Sequence, residues 1–287
     1  MKIKFLFIMV VALTSLSCRA KVERGTGIWR ASISEFSDID SVNVHYYLPS
    51  EGDICKMDVV VTMHGNGRDP WAAVSYWQEK AEEYGVVIIA PEFSMEEFPG
   101  SQYLYGGLQN PDGTYRPEGR SLFAAVDAIF EQARSRWNIR ADKYYLFGHS
   151  AGSQFVHRML LLHPSERVER AAAANAGWYT FPDSEAIFPY GTGSCKERAD
   201  IARFIGRDIT LLLGDADTIP NYGLRMTPEA VRQGMNRFER GLTFYDYGKS
   251  LADSLGVEFG WTKIVCPGID HNEEKMAHSA ADIFFGE

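Results

Sequence analysis

The chain has 287 residues, of which 45% are hydrophobic and 23% are charged, so it can bury a large core and does not have the composition of a disordered protein. Its formal net charge of -9 disfavours a nucleic-acid partner, because an acidic surface repels phosphate groups. The length fits one α/β domain, and no repeat, low-complexity tract or Pro- and Ser-rich linker divides it.

The first residues have the pattern of an export signal. Lys2 and Lys4 precede an apolar run at residues 5–13, which is too short to span a membrane. The small residue and Cys18 that follow are similar to a bacterial lipoprotein cleavage site. We therefore predict a signal peptide over residues 1–18, lipidation of Cys18 and a linker over residues 19–24, with plain secretion as the alternative. Both alternatives place the protein outside the cytoplasm, and only the lipid anchor would bring it to a membrane, in the periplasm or at the cell surface.

Three cysteines remain after Cys18, and an odd number cannot pair completely. At most one disulfide can form among Cys55, Cys195 and Cys266, and their positions leave the pairing open. None of them has the C-x-x-C or C-x-x-H spacing of a zinc site, so we predict no metal centre.

Short apolar runs alternate with helical patterns from residue 25 onward. Nearly continuous apolar runs are typical of strands that are buried on both faces of a sheet. We predict strands at residues 27–33, 42–48, 58–63, 86–90, 144–147, 168–174, 209–213 and 262–266. We predict helices at residues 70–84, 122–133, 151–162, 227–255 and 273–285. The alternation indicates one domain over residues 25–287, with a largely parallel sheet covered by helices.

Two long loops, at residues 92–120 and 178–194, are rich in Gly, Pro and Tyr. Both follow predicted strands, and open α/β sheets place their sites at the carboxyl ends of strands. Long loops in compact domains are often functional, so both are candidates for the walls of a site.

A motif with the G-x-S-x-G spacing, Gly-His-Ser-Ala-Gly at residues 148–152, joins a predicted strand to a predicted helix. The motif needs this setting, because its glycines let strand and helix approach closely while the turn exposes the serine hydroxyl. The dipole and free amides of the helix N-terminus favour a developing negative charge there. The motif therefore predicts Ser150 as a nucleophile.

The motif and its setting resemble the α/β-hydrolase family, and most of all its secreted esterases of the polyhydroxybutyrate-depolymerase and feruloyl-esterase kind. The similarity runs from about residue 42 to the end of the chain. It implies an α/β-hydrolase fold, with a mostly parallel eight-stranded sheet flanked by helices. It also implies three further site elements, each of which follows its own predicted strand.

The first element is an oxyanion hole. Residues 63–67, Met-His-Gly-Asn-Gly, are similar to the His-Gly segment of these enzymes. The resemblance implies that the backbone amide of Asn66, or that of Gly65, acts with the amide of Ala151 to hold the oxyanion. It also implies that His64 orients the turn and is not a base. A plain glycine turn is the alternative interpretation.

The second and third elements are an acid and a base. The family's spacing of three residues after Gly214 selects Asp217 as the acid, and Asp215 then shapes the turn. His271 lies just before the closing helix, where the family has its base, whereas His278 lies inside that helix. The nucleophile, the acid and the base follow the family's chain order. Four earlier histidines are interpreted as structural or exposed: His45, His149, His157 and His163.

Many families of this fold insert a large helical cap after the sixth strand. Residues 177–207 leave room here for only a small excursion, with one short helix near residues 196–204. We therefore expect a small cap or none, and an open site that suits polymeric or bulky esters. Aromatic residues of the long loops are candidates to stack on sugar or aryl groups, with packing as the alternative. They are Tyr103, Tyr105, Tyr115, Trp178 and Tyr179.

The predicted helix at residues 227–255 begins with Thr227 as its N-cap. Four arginines in or near it could contact an acidic substrate, but the sequence favours a solvated helix face. They are Arg225, Arg232, Arg237 and Arg240.

The leading hypothesis is a serine-dependent carboxylic-ester hydrolase, in which Ser150 forms an acyl-enzyme with His271 as base and Asp217 as acid. It needs no cofactor, and its partner is a small-molecule or polymeric ester. A serine peptidase of the same fold is one alternative, and a non-catalytic binding module is another.

Overall fold

The computed structural model describes residues 23–163, 165–219 and 223–286. The predicted signal peptide, with Cys18, and most of the predicted linker lie outside the described residues. None of the helices within these ranges is long and apolar enough to cross a membrane.

Eight strands form one sheet, and each lies at a predicted strand. They are β1 Gly25–Ser32, β2 Ser41–Leu48, β3 Val59–Met63, β4 Val87–Pro91, β5 Tyr144–His149, β6 Val168–Ala174, β7 Ile209–Gly214 and β8 Trp261–Cys266. The order across the sheet is β1-β2-β4-β3-β5-β6-β7-β8. The pairs β1/β2 and β2/β4 are antiparallel and the others are parallel, so the carboxyl ends of β3 to β8 share one edge.

Nine helices flank the sheet in the described ranges. They are α1 Pro70–Ser75, α2 Gln78–Tyr84, α3 Ser101–Leu104, α4 Leu122–Trp137, α5 Ala151–Leu162, α6 Ile201–Gly206, α7 Pro228–Gln233, α8 Arg237–Leu255 and α9 Glu273–Phe285. Every residue of β3, β4 and β7 is buried, because helices cover both faces. The predicted fold class, an α/β-hydrolase fold with a mostly parallel eight-stranded sheet, is confirmed.

The two faces of the sheet pack into separate cores, and β5 serves both. Leu146 points into the core with α4 and α5, whereas the next residue, Phe147, points into the core with α1, α2 and α9. On the second face, the rings of Trp77 and Phe147 meet edge to face with their centroids 5.3 Å apart. Successive residues of the strand therefore fix helices on opposite sides of the nucleophile.

Two predicted helices are each divided in the structure. The prediction of one continuous helix at residues 70–84 was wrong, because α1 ends at Ser75 and α2 begins at Gln78. The predicted helix at residues 227–255 is broken at Gly234, which has a φ of 149°, and Asn236 then caps a new helix by accepting a hydrogen bond from the Glu239 amide. The predicted N-cap is present, since the side chain of Thr227 accepts from the Ala230 amide.

The connection from β6 to β7 forms only a small excursion, as predicted. It contains a 3-10 turn at Lys196–Arg198 and α6, and no large helical cap is present in the described part of the chain.

Cys55 is half-buried, Cys195 and Cys266 are buried, and none of the three forms a disulfide with another described cysteine. The same ranges contain no group of three or more His, Cys, Asp or Glu placed to hold a metal ion.

Substituting Gly152 tests the close contact between α5 and β3. A Cβ at this position would lie 1.9 Å from the carbonyl oxygen of Met63, so α5 would have to move away from β3. We expect Gly152→Ala to lower the free energy of unfolding by about 3 kcal/mol. Urea unfolding of this variant and of Gly67→Ala provides the comparison, since a Cβ on Gly67 meets nothing within 4 Å. Equal stability of the two variants would contradict the expectation.

Candidate active site

Ser150 lies on a strained turn between β5 and α5. Its φ of 56° and ψ of -112° are unusual for a residue with a side chain. The turn is tight because Gly148 and Gly152 face each other, and a Cβ on Gly148 would lie 2.4 Å from the backbone of Gly152. The amide of Ser150 donates to the carbonyl of Ala174 at 2.9 Å, which ties the turn to β6. The hydroxyl therefore stands at the carboxyl edge of the sheet, at the start of a helix.

His271 and Asp217 complete a chain of hydrogen bonds with Ser150. His271 Nε2 lies 2.9 Å from Ser150 Oγ, and His271 Nδ1 lies 2.6 Å from Asp217 Oδ2. A carboxylate can only accept, so Nδ1 carries the proton, and Nε2 is left to accept the serine proton. The three residues that the sequence predicted as nucleophile, acid and base thus lie in direct contact.

Arg237 holds the far side of Asp217. Its Nη1 lies 3.4 Å from Asp217 Oδ1, and the two side chains are only 5% and 3% exposed. Burial lowers the pKa of Arg237, and the nearby Asp217 carboxylate opposes that shift. Sequence reasoning placed this arginine on a solvated face. That interpretation was wrong, because the break at Gly234 turns the first residue of α8 inward.

The other three arginines differ in their surroundings. Arg240 is also fully buried, with Nε donating to the Gly234 carbonyl at 2.9 Å, so the solvated face was wrong for it too. Arg232 does lie on the exposed face and pairs with Glu229. Arg225 is half-buried, donates to the Tyr105 hydroxyl at 3.2 Å and lies over the ring of Trp178.

The remaining acid and base candidates lie away from the proton path. Asp215 Oδ1 accepts from the amide of Gly268 at 2.7 Å, which fits the predicted turn-shaping role. His278 is half-buried within α9. The selection of Asp217 and His271 over these neighbours therefore agrees with the geometry.

Two of the predicted oxyanion residues, Gly65 and Asn66, line a cavity of about 460 Å³ together with Ser150. Gly65 and Asn66 form a turn that is closed by a hydrogen bond from the Arg68 amide to the Gly65 carbonyl, 3.1 Å long. Ala151 is the first residue of α5, so its amide is one of those that no intrahelical carbonyl satisfies. The lining comprises Gly65, Asn66, Gly67, Tyr76, His149, Ser150, Gly223, Arg237, His271, Asn272, Glu273 and Glu274.

His64 orients this turn, as the resemblance implied. Its Nε2 accepts from the Phe93 amide at 3.2 Å, so Nδ1 carries the proton and donates to the Gly65 carbonyl at 3.2 Å. Burial lowers the pKa of His64 to about 4, which keeps the ring neutral. Tyr103 braces the same segment, because its hydroxyl donates to the His64 carbonyl at 2.6 Å.

The aromatic residues predicted to stack on substrate are mostly inside the protein. Tyr103, Trp178 and Tyr179 are buried, and Tyr179 stacks on Phe244 with the ring centroids 4.3 Å apart. Their placement does not support a stacking role, because a ligand could not reach their faces. Tyr105 is half-buried and keeps some exposed surface. Tyr115 is also half-buried, with its hydroxyl 3.0 Å from Ser194 Oγ.

Sequence reasoning missed two residues that shape the site. Asn175 follows β6 with a φ of 46°, accepts from the Gly214 amide at 2.9 Å and donates to the Asp270 carbonyl at 3.1 Å. It thus joins the loops that carry the acid and the base. Glu273 lines the cavity, although its place in the first turn of α9 is that of an ordinary helix-terminal acid. A polar residue directly after an apolar strand was the available signal for Asn175.

Known structures resemble the chain over most of its length. Poly(aspartic acid) hydrolase-1 from Sphingomonas sp. KT-1 is 34% identical with a TM-score of 0.84, over 91% of this chain and 99% of that chain. The chain belongs to the α/β-hydrolase family of serine esterases. This α/β-hydrolase is also 32% identical to LpqC, a poly(3-hydroxybutyrate) depolymerase from Bordetella parapertussis, with a TM-score of 0.85 over 92% and 91% of the two chains.

A more distant likeness shows the fold alone. An S-formylglutathione hydrolase from Agrobacterium tumefaciens is 16% identical, with a TM-score of 0.60 over 92% of this chain and 95% of that chain. No family model matches the sequence, and no curated protein matches it either. The two nearer likenesses establish that this α/β-hydrolase is an enzyme of the hydrolase class.

Replacing Arg237 tests its support of the acid. In Arg237→Met, Asp217 stays buried without its cation, so we expect the free energy of unfolding to fall by about 2–4 kcal/mol. A displaced acid also misorients His271, and kcat for an aryl acetate should fall about 10-fold or more. Thermal unfolding and steady-state kinetics measure the two effects, with Arg232→Met on the exposed face as the matched control. Wild-type kcat in folded Arg237→Met would show that the arginine does not support the acid.

Proposed function

We propose that this α/β-hydrolase is a serine-dependent carboxylic-ester hydrolase that forms an acyl-enzyme on Ser150. The observation that carries the proposal is the continuous chain of hydrogen bonds from Asp217 through His271 to Ser150, at 2.6 Å and 2.9 Å. It opens onto a cavity that also contains the predicted oxyanion turn.

Acylation begins when Ser150 Oγ attacks the ester carbonyl carbon and His271 Nε2 takes the hydroxyl proton. The carbon–alkoxy bond then breaks, and the imidazolium returns the proton to the leaving alcohol. Water, activated by the same ring, attacks the acyl-enzyme and releases the acid and free Ser150. Asp217 keeps the proton on Nδ1 and stabilises the imidazolium, while Arg237 contacts the other carboxylate oxygen and holds the side chain in place.

The oxyanion would be held by backbone amides. The amide of Ala151 lies at the N-terminus of α5, and Gly65 and Asn66 line the same cavity as Ser150. Preorganised donors of this kind lower the barrier because they need not reorient as the charge develops. We assign the second donor to Asn66, with Gly65 as the alternative.

A polymeric or carbohydrate-linked ester outside the cytoplasm is the proposed substrate class. The small helical content between β6 and β7 supports it, because no bulky helical cap encloses the described part of the site. One similar structure is named as a depolymerase of poly(3-hydroxybutyrate), which is a polyester. The predicted signal peptide and Cys18 support an extracytoplasmic enzyme, with the lipid anchor as its membrane contact.

Hydrolysis of amide bonds is a second candidate function. It corresponds to the serine-peptidase alternative that the sequence left open. The similarity to poly(aspartic acid) hydrolase-1 favours it, because the units of poly(aspartic acid) are joined by amide bonds. The same Ser150 and His271 chemistry would serve an amide, with the imidazolium protonating the leaving amine.

A fluorophosphonate probe tests the nucleophile. We expect the purified protein to be labelled, and Ser150→Ala to lose both the label and about 10⁴-fold or more of its esterase activity. Ser153→Ala is a suitable control, because it removes a hydroxyl one turn away in α5 and leaves the nucleophile in place. Labelling that survives in Ser150→Ala would reject the nucleophile, and an unlabelled wild type would favour a non-catalytic binding module.

A substrate panel separates the two candidates. It contains aryl acetates, feruloyl esters, hydroxybutyrate oligomers, peptide anilides and poly(aspartic acid). We expect the esters to have the highest kcat/KM, because an alkoxide leaves more readily than an amide anion and resonance makes an amide carbonyl less reactive than an ester carbonyl. Cleavage of the amides without cleavage of the esters would reverse the ranking.

A further inference from the structure

Glu273 places a carboxyl group inside the active-site cavity, although the proposed chemistry gives it no part. It is the first residue of α9, and its side chain is only 20% exposed. Its Oε2 lies 3.9 Å from His149 Nδ1, too far for a hydrogen bond. Its Oε1 is buried and has no hydrogen-bond partner among the described residues.

Stabilisation of α9 does not explain this placement. An acid in the first turn of a helix interacts favourably with the helix dipole, but it does so while exposed to water. The next residue, Glu274, is exposed and already supplies that interaction. Turning Glu273 inward instead buries a polar group without a partner, which costs folding free energy.

The carboxyl group lies directly beside the oxyanion turn. A methyl group built on Gly65 would be 3.6 Å from Glu273 Oε2. On its other side is the ring of His149, whose centroid is 4.4 Å from that of His271. An ionised Glu273 would therefore place its charge against the oxyanion turn, whereas the ring of His149 lies between it and His271. A negative charge at the turn opposes the negative charge that develops on the oxyanion.

The neighbouring groups do not offset a charge on Glu273. His271 is engaged with Ser150 and Asp217, and Arg237 from α8 contacts Asp217. The pKa of His149 lies well below its usual range, because the ring is buried and lies near His271 and Arg237, so it remains neutral. The other titratable groups that face Glu273 are neutral phenols and carboxylic acids: Tyr76 directly after α1, Tyr103 from α3, Asp69 before α1 and Glu274.

Burial, reinforced by the charge of Asp69, raises the pKa of Glu273 to about 7. The two protonation states are then both accessible close to neutral pH. A neutral carboxyl leaves the oxyanion turn electrostatically undisturbed, whereas an ionised one lies beside the position where negative charge develops.

We infer that Ser150 attacks faster when Glu273 is protonated, because the ionised form slows acyl transfer by placing a negative charge beside the oxyanion turn. The inference rests on the proposed serine mechanism. Glu273 acts through the field at Gly65 and Asn66 and not by contact with the reacting atoms, so it is a positioning residue. The enzyme should consequently lose activity on the alkaline side of neutrality, where a hydrolase with only a histidine base would keep it.

The pH profile of kcat/KM for a neutral aryl acetate, followed by pH-stat titration, tests this inference. We expect kcat/KM of the wild type to fall about 10-fold between about pH 7 and about pH 9 as the carboxyl ionises. Glu273→Gln keeps the shape of the side chain without the charge, so its profile should stay flat over that range. Glu274→Gln is the matched control, since it removes one acid from the same cavity and helix turn, and it should keep the wild-type fall.

A second neutral variant and a second assay keep the inference testable if Glu273→Gln does not fold or the ester is not hydrolysed. Glu273→Met is another neutral variant, and it should have the same flat profile as Glu273→Gln. The rate of fluorophosphonate labelling, measured over the same pH range, reports on attack by Ser150 and should follow kcat/KM.

The possible results separate the two proposals. A fall that persists in both neutral Glu273 variants, or an active wild type without a fall, would overturn the role of Glu273 and leave the serine mechanism standing. A wild type that neither hydrolyses esters nor takes the label would overturn the serine mechanism, and the role of Glu273 with it.

Discussion

The contact of Gly152 with the carbonyl end of β3 is the constraint on which the site depends. A Cβ on Gly152 would overlap the Met63 carbonyl, and one on Gly148 would overlap the start of α5, so the helix begins directly against two strands. This crossing forces Ser150 into its positive φ and aims its hydroxyl away from the sheet. It also brings the first amide of α5 next to the turn that follows β3. One packing contact therefore places the nucleophile and both sides of the candidate oxyanion hole.

A break in a helix has a similar effect on the acid. Gly234 interrupts the helix, and the cap at Asn236 starts α8 in a new direction. Arg237 then points at Asp217, inside the protein. A glycine far from the proton path thereby decides whether the buried carboxylate has a cation.

Most of the fold and the central residues of the site could be predicted, because their signals are local. Continuous apolar runs mark the strands of a covered parallel sheet, and glycines around Ser150 mark the turn. Asp217 and His271 each follow such a run, so their meeting at one edge follows from parallel topology. The breaks near residues 76 and 234 were missed because the apolar periodicity continues through them.

Inward-facing charges and aromatic burial were harder to foresee. Arg237 and Glu273 occupy helix positions where exposed charges are usual, and only the tertiary arrangement turns them toward the cavity. Trp178 and Tyr179 follow a strand like many substrate-contacting residues, yet they pack inside. A single sequence does not distinguish an aromatic residue that contacts substrate from one that packs inside, because the same residue types serve both purposes in a loop.

Asn175 has a consequence for how enzymes of this kind can diverge. Its side chain ties the residue before His271 to the end of β7, and its own amide donates to the Leu212 carbonyl at 3.0 Å. The rest of the β6–β7 connection, residues 176–208, supplies none of the residues that line the described cavity. That connection can therefore change in length and composition through mutation while Asn175 keeps the residue before His271 tied to the end of β7.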